Sequence, residues 1–363
     1  MWYLMSRLRI GIFTWDFDPI QGGIGIHALE LYNALMADKD FEPVVFSPSH
    51  TSLPNHVRIW GARGYLGQFL FSVQCALLVE RMIRAHSLDV VHFMGSSGGV
   101  QILVKPSKPA IFTLNNTYFY LSRVLGGFKF FFMKALEEMS INNSSVQTAI
   151  SGGIVQEIRH PKKSEIKVVY IGIDGSVFRP AKSRVEKAIL FVGRVEERKG
   201  IFDLLEAFAS LDEKDYNLWI VGDGSAKERA IVMGRILGLE GKITYFPKMD
   251  RSSLPKLYSR ALVTVLPSWS EGFGLTIAEA MSCGCIVAGS DIPGIRDQID
   301  DGVNGVLFRP RSPADLSGRL KFLVSMRSKE IREMRQKAIQ KAKSFSVSKM
   351  ASDYKSIYSG LVK

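Results

Sequence analysis

Short apolar runs rich in β-branched residues recur along the chain, separated by stretches whose apolar positions follow helical spacing. In the first half such runs occupy residues 8–14, 42–47, 89–93, 110–114, 146–150 and 167–171, with amphipathic helix at 26–36 and 69–85. Turn-formers and charges then gather at 174–183, around Pro180, where the linker is expected. The alternation resumes with strands at 188–193, 217–221, 243–246, 261–266, 285–288 and 305–308 and helices at 200–210, 312–324 and 329–343. Strands alternating with helices predict doubly wound parallel sheets. A chain of 363 residues exceeds one ordinary core, and two domains of roughly 150–180 residues are the natural division. The expectation is an α/β protein with two Rossmann-like domains, 1–178 and 179–345, whose ligands lie at facing strand ends.

One stretch concentrates the chemistry: residues 267–284, PSWSEGFGLTIAEAMSCG. A buried strand leads into Ser270, Glu271, Gly272, Phe273 and Gly274, and a helix follows in which Leu275, Ile277, Ala278 and Met281 form the apolar face. Glycines let backbone approach a ligand closely, and the free N–H groups of a first helical turn favour an anion. Glu271 and Glu279 would border the same crevice. Carboxylates repel phosphate but hold hydroxyl groups well, so the pattern suits a sugar, a diphosphate and a ribose. Upstream, the strand ending at Gly193 runs into Arg194 and Lys199 in GRVEERKG. A guanidinium and an ammonium beside a helix start make a phosphate clamp; the alternative is two surface cations on a loop. In the first half, Gly22, Gly23 and Gly25 of GGIG form a strand-to-helix turn suited to phosphate or to close backbone approach, without dinucleotide spacing.

Charge narrows the partners. The net charge is +12, about +4 over residues 1–180 (17 basic, 13 acidic) and about +8 beyond (30 basic, 22 acidic). Such a balance suits an anionic substrate, a membrane surface or nucleic acid, and no nucleic-acid motif is present, so no nucleic acid is expected. Residues 1–9 lack a signal-peptide core, and no uninterrupted apolar run is long enough to span a bilayer. Three cysteines, Cys75, Cys283 and Cys285, make no disulfide framework and point to a reducing compartment. Cys283 and Cys285 have no further metal ligands nearby, which favours packing over metal binding.

The motifs GGIG at 22–25, DVVH at 89–92, IGIDGSVFRP at 171–180, FVGRVEERKG at 191–200, IVGDG at 220–224 and SEGFGLTIAEAMSCGCIVAGSDIPGIRDQIDDGVNGVLF at 270–308 resemble the retaining glycosyltransferases of family 4. The resemblance covers nearly the whole chain and implies the GT-B fold, with residues 346–363 crossing back onto the first domain. It implies that Arg194 and Lys199 bind the diphosphate of a nucleotide-sugar donor, that Glu271 faces the transferred sugar, and that Glu279 holds the ribose hydroxyls. Backbone at Gly272, Phe273, Gly274 and Leu275 would contact sugar and phosphate, and the Gly22–Gly25 loop would close over the donor. Gly193, Gly222 and Asp223 would line the donor site, with base recognition near Phe246 to Met249. The nucleotide sugar is a co-substrate; no cofactor and no bound metal are expected. No Asp-x-Asp pair stands where a cation would be held against the diphosphate, and two cations plus a helix dipole can neutralise the leaving group. Front-face displacement is favoured over a double displacement, because no second carboxylate is assured on the sugar's other face.

One departure stands out. Many family members carry a histidine where this chain has Asn115, and an amide can hydrogen-bond a sugar hydroxyl but cannot take up a proton. His92 is the substitute weighed for acceptor or sugar binding, against a buried, hydrogen-bonded histidine. His27 is read as packing. The segment 126–139, GGFKFFFMKALEEM, is either an aromatic and basic membrane contact, in a family that often glycosylates lipid-linked acceptors, or a helix packed on the first sheet. The functional expectation is transfer from a UDP- or GDP-sugar to a glycan or lipid-linked hydroxyl, in cell-surface polysaccharide or glycolipid synthesis. The expected location is cytoplasmic or peripheral on the inner face of the cytoplasmic membrane. The alternatives are a catalytically silent nucleotide-sugar-binding subunit and a nucleotide-sugar epimerase on the same scaffold.

Overall fold

The computed structural model describes residues 7–20, 22–61, 64–95, 100–124, 127–211 and 215–362. The chain forms two compact units, one running to Gly172 and completed by Val347–Lys363, the other spanning Ile173–Ser346. The division falls at Ile173 rather than at 179, because Ile173 donates its N–H to Phe345 O at 2.7 Å and bridges Ser346. The segment IGIDGSVF thus enters the second unit's fabric before the proline that marks the linker in sequence.

In the first unit the elements run β1 (Leu8–Phe13), α1 (Gly23–Met36), β2 (Phe41–Ser47), β3 (His56–Arg58), α2 (Gly64–Ala85), β4 (Val90–Gly95), β5 (Ala110–Leu114), α3 (Tyr118–Val124), α4 (Phe128–Asn143), β6 (Val146–Ala149), α5 (Gly152–Glu157) and β7 (Lys167–Val168). The second continues with β8 (Ala188–Val192), α6 (Ile201–Ala209), β9 (Asn217–Val221), α7 (Lys227–Ile236), β10 (Ile243–Phe246), α8 (Leu254–Arg260), β11 (Val263–Leu266), α9 (Leu275–Ser282), β12 (Ile286–Ser290), α10 (Pro293–Arg296), β13 (Val306–Phe308), α11 (Pro313–Ser325) and α12 (Ser328–Ala342). Helix α13 (Val347–Val362) returns to the first unit.

Both sheets are parallel, in the orders β3-β2-β1-β4-β5-β6-β7 and β10-β9-β8-β11-β12-β13. Each reverses strand order beside its first strand, where an open α/β sheet offers a crevice at its carboxyl edge. Strands buried on both faces read as continuous apolar runs, which is why β8 (AILFV) is apolar throughout and β11 (VTVL) departs only at Thr264, whose hydroxyl meets Cys285 Sγ at 3.3 Å. The first core joins Ile10, Ile12 and Ile111 of the sheet to Leu31 and Leu35 of α1 and to Tyr354 and Tyr358 of α13. The second packs Phe191, Ile220 and Val265 against Leu204, Leu205 and Phe208 of α6 and Leu316 and Leu320 of α11.

Helix α2 corrects the hydropathy reading. Its segment Leu66–Ala85 is long and apolar enough, by length and composition, to cross a membrane, and 33% of its most apolar stretch is buried. Gln68, Ser72 and Gln74 interrupt the apolar run without charge, so the run looks short while the mean hydropathy stays high. Phe71, Cys75, Val79, Met82 and Ile83 turn inward, while Leu66, Leu70 and Leu77 stay exposed on the other side.

Candidate active site

The site assembles in the second unit where two loops lock together. Gly200 adopts φ +69°, and a Cβ there would stand 2.0 Å from Pro267 O, so only glycine lets the loop after β8 lie against the loop after β11. Trp269 N–H donates to Arg198 O at 2.9 Å, and its indole N–H donates to Asp203 of α6 at 2.8 Å. Arg311 stacks over the same indole, 4.3 Å from the ring centroid. This junction carries Lys199 to Glu271 across 72 residues of sequence, and their ammonium and carboxylate form a direct ion pair, 14% and 13% exposed. Ser268 donates its hydroxyl to the same carboxylate oxygen at 2.6 Å. Burial by itself pushes the Glu271 carboxyl up, but the Lys199 charge and hydrogen bond, the Ser268 hydroxyl and Arg198 together hold it below the ordinary carboxylate range.

Three residues after Glu271 the chain reaches the start of α9. Gly274 is its N-cap, left-handed at φ +79°, and no side chain caps the helix. The first turn carries no acidic residue, and with Ile277 N–H turned back to Gly274 O at 2.9 Å the N–H groups of Leu275 and Thr276 make the kind of helix start that receives an anion. Thr276 of that turn donates its hydroxyl to Val192 O at 3.2 Å, fixing the helix start against the end of β8. Phe273 is 2% exposed, and its carbonyl accepts from the side chain of Gln298.

Glu279 lies one helical turn further in, 4% exposed, clamped through Oε1 by Arg251 at 2.8 and 3.0 Å and through Oε2 by the Tyr258 hydroxyl at 3.1 Å. These bonds use three of the roughly four acceptor positions of a carboxylate, leaving about one for a ligand hydroxyl. Burial raises the Glu279 carboxyl despite the Arg251 charge and both hydrogen bonds. Arg194 is more open, 63% exposed and paired with Glu196 at 2.9 Å. Gly193 N–H bonds Val221 O at 3.0 Å and Val195 N–H bonds Asp223 O at 2.9 Å, so Gly193, Gly222 and Asp223 form one rim at adjoining strand ends. Phe246 ends β10, on the far side of β9 from β8, with Lys248 and Met249 following. The structure thus brings together Arg194, Lys199, Glu271 and the start of α9, with Glu279 below them.

Sequence reading missed Arg251, Tyr258, Ser268, Asp203 and Gln298. Tyr258 reaches Glu279 through the packing of α8 on α9 and Arg251 from the turn just before α8, and nothing in their local sequence announces it. Ser268 sits within residues 267–284 and Gln298 within 270–308, so their place in the motif stretches was the available signal.

In the first unit three expectations change. The Gly22–Gly25 turn already holds an anion of the chain itself: Asp16 accepts from Gly22 N–H at 2.7 Å and from Gly25 N–H at 3.1 Å. A Cβ at Gly25 would stand 2.6 Å from the Asp16 carboxyl carbon, so that glycine serves the carboxylate, while Gly23 is exposed at the first turn of α1. His92 is corrected as an acceptor residue. Strand β4 runs on to Gly95, leaving His92 in mid-strand and fully buried, its ring nitrogens 2.6 Å from Tyr358 Oη and 2.6 Å from Thr113 Oγ1. Asn115, 6% exposed, turns its carbonyl to His27 Nδ1 at 3.2 Å and its amide to Gly95 O and Thr113 O at 3.4 Å. Burial pushes His27 down to about 4, with the Asn115 bond a smaller opposing effect, so both histidines are neutral at physiological pH. Gly126 lies outside the described residues. Helix α4, which begins at Phe128, packs inward through Leu136, Ser140 and Ile141 while Phe128, Phe131 and Phe132 stay exposed.

Comparison with known proteins places these features. Residues 174–345 match the family described as "Glycosyl transferases group 1", and residues 21–176 match "Glycosyltransferase Family 4". A D-inositol 3-phosphate glycosyltransferase of Nocardiopsis dassonvillei is 32% identical over 185 residues, 45% of this chain and 43% of that protein. An uncharacterized glycosyltransferase of Methanocaldococcus jannaschii is 26% identical over 85% of this chain and 87% of its own. The chain thus spans less than half of the first relative's length and most of the second's. Among solved structures, sucrose-phosphate synthase of Thermosynechococcus elongatus superposes with a TM-score of 0.84 at 18% identity, over 98% of this chain and 99% of that one. The HepE protein of Anabaena, in complex with UDP and glucose, gives 0.75 at 17% identity, over 98% and 100%.

Proposed function

Because the chain belongs to the group 1 and family 4 glycosyltransferases and has their GT-B fold, we propose that it transfers a sugar from a nucleotide-diphosphate donor, with retention, to a hydroxyl of a glycan or lipid-linked acceptor. The observation that carries this reading is the Lys199–Glu271 ion pair, whose carboxylate lies in the loop that leads into the uncapped start of α9. An ammonium and a helix N-terminus together receive the negative charge that grows on a departing diphosphate, and groups placed there act on the barrier rather than on ground-state binding. Arg194, itself exposed and paired among the described residues only with the half-buried Glu196 that Arg198 also holds, adds the second cation. Glu271, kept ionised by Lys199, accepts hydrogen bonds from sugar hydroxyls, and Glu279 offers its remaining acceptor position to the ribose.

With charge neutralised by side chains and the helix, the transfer needs no resident metal. His92 is buried with both ring nitrogens engaged, Asn115 is an amide that takes up no proton, and burial lowers His27 to about 4, too weak a base to hold the acceptor's proton, so none of these side chains takes it. The leaving phosphate oxygen takes it instead, which is front-face displacement. A UDP-sugar is the first donor to assay, since the Anabaena protein of the same fold holds UDP and glucose. The test is thermal unfolding of the purified protein with UDP-, GDP- and ADP-sugars, followed by nucleotide diphosphate release from whichever raises the midpoint. Release of UDP or GDP without acceptor excludes a silent subunit. An altered sugar on an intact donor identifies an epimerase and overturns transfer. Failure of every nucleotide sugar to bind overturns the donor assignment.

A further inference from the structure

Two buried polar groups beside the start of α9 have no partner, and they sit on neighbouring residues. Gly274 is buried, yet its N–H makes no hydrogen bond among the described residues. Gln298 is 0% exposed and leaves its Oε1 unpaired. Its Nε2 lies 3.7 Å from where a Cβ on Gly274 would stand. Buried backbone N–H groups without a partner are rare in folded proteins, and a native chain that keeps one calls for a reason.

The nitrogen of the Gln298 amide is fully used. It donates to Phe273 O and, at 3.3 Å, to Gly294 O. Only the nitrogen can stand between two carbonyl oxygens, because the amide oxygen has no hydrogen to give. The residue is also held from behind: its own N–H donates to Ile295 O at 2.9 Å, and Asn304 Nδ2 donates to its carbonyl at 3.0 Å. Gly294 presses on the same loop, since a Cβ there would stand 2.2 Å from Glu271 O. These contacts fix the direction of one peptide. The Phe273–Gly274 bond is trans, and in a planar trans peptide the C=O and N–H point opposite ways. Pinning Phe273 O to Gln298 therefore aims the Gly274 N–H away from Gln298, outside the ladder of α9. The sequence Gly272-Phe273-Gly274 has little of its own to resist rotation of that peptide.

We propose that Gln298 is a positioning residue: by pinning the Phe273 carbonyl it presents the Gly274 N–H, with those of Leu275 and Thr276, to the oxyanion of the departing diphosphate. It touches no substrate and acts through the peptide, and the role rests on the proposed transfer. The test is steady-state donor hydrolysis and thermal unfolding of the full chain and its Q298M and Q298E variants, with UDP-glucose, GDP-mannose and ADP-glucose as donors. Q298M keeps the volume and loses the amide. It is expected to lower kcat about tenfold to a hundredfold, the scale of a misplacement near 1 Å, with the donor KM within about threefold of wild type. Its midpoint should stay within about 3 °C, because Phe273 O loses a donor while the unpaired Oε1 is removed. Q298E keeps the shape and cannot donate while ionised; burial raises its carboxyl, and the protonated form can donate. Its turnover relative to wild type is therefore expected to climb as pH falls from about 8 to about 5.5. A purely structural role gives the opposite pattern, a lowered midpoint with kcat kept. Active wild type with Q298M kcat within about threefold overturns the positioning role and leaves transfer standing, as does loss of folding by both variants. A raised KM with kcat unchanged makes Gln298 a contributor to ground-state binding and equally overturns it. Wild-type protein that releases no nucleotide from any of these donors overturns transfer itself, and the positioning role with it.

Discussion

Replacing Lys199 by methionine removes one charge but acts on two separate quantities, and the structure assigns a size to each. The first is stability. Glu271 loses its ammonium partner while remaining 13% exposed, keeping only the Ser268 hydroxyl at 2.6 Å. Breaking a buried pair by removing one member costs about 3–5 kcal/mol; the surviving hydrogen bond and partial exposure place this case near the lower end, at about 3 kcal/mol. The second is turnover. Loss of one preorganised donor to a developing oxyanion lowers kcat by about 10²–10³, or roughly 2.7–4 kcal/mol of barrier.

The two effects separate in a double variant. K199M/E271Q leaves no unpaired charge and recovers most of the lost stability, while its turnover stays at or below that of K199M. Acidity separates them again. In wild-type protein the Glu271 carboxyl is depressed, so the pair's contribution is complete above the unfolded carboxylate value of about 4.3 and is lost as pH falls through the lower folded value. In K199M burial acts unopposed by Lys199, the carboxyl rises, and the penalty present at neutral pH is relieved on acidification. Urea unfolding at a series of pH values should therefore show the gap between wild type and K199M narrowing from about pH 7 to pH 4.5. Equal stabilities at neutral pH, or turnover by K199M within threefold of wild type, would refute the reasoning.

Three further outcomes follow from the same geometry. R194A, which removes an exposed guanidinium, is expected to lower turnover by about 10²–10³ with a stability change under about 1 kcal/mol; unchanged turnover would remove Arg194 from the site. R251M strands the buried Glu279 beside Tyr258 and should destabilise the protein by about 3–5 kcal/mol at neutral pH. Because the Glu279 carboxyl already lies above its unfolded value, that deficit should shrink as pH falls toward about 4.3, and a pH-independent deficit would show that charge is not its cause. His27 is neutral in the fold down to about pH 4. Its contribution is thus complete above the unfolded value of about 6.5 and declines below it by up to about 3 kcal/mol near pH 4. H27F should flatten the unfolding free energy between those values, and an unchanged slope would place the acid sensitivity elsewhere.

The sheets, their strands and the loop that carries Glu271 were legible in the chain because each depends on local information. A strand buried on both faces must be apolar from end to end, and a loop that meets another backbone must carry glycine where it does so. Short or edge elements such as β3 lacked that signal. Sequence also paired Arg194 with Lys199 and Glu271 with Glu279, since each couple lies within one motif.

What it paired by proximity, packing redistributed. Lys199 belongs with Glu271, Glu279 with Arg251 and Tyr258, and the Gly22–Gly25 amides with Asp16. His92 became a core residue because its strand ran on past Phe93 to Gly95 and packed its ring against Tyr358. Likewise, the uncovered face of α2 was invisible in a hydropathy count, which measures how apolar a segment is and not which side the rest of the chain covers. Residue types and spacing therefore determined the elements and the class of chemistry. Which charges are neutralised, and which apolar surface is left outside, is settled only when loops distant in sequence come into contact.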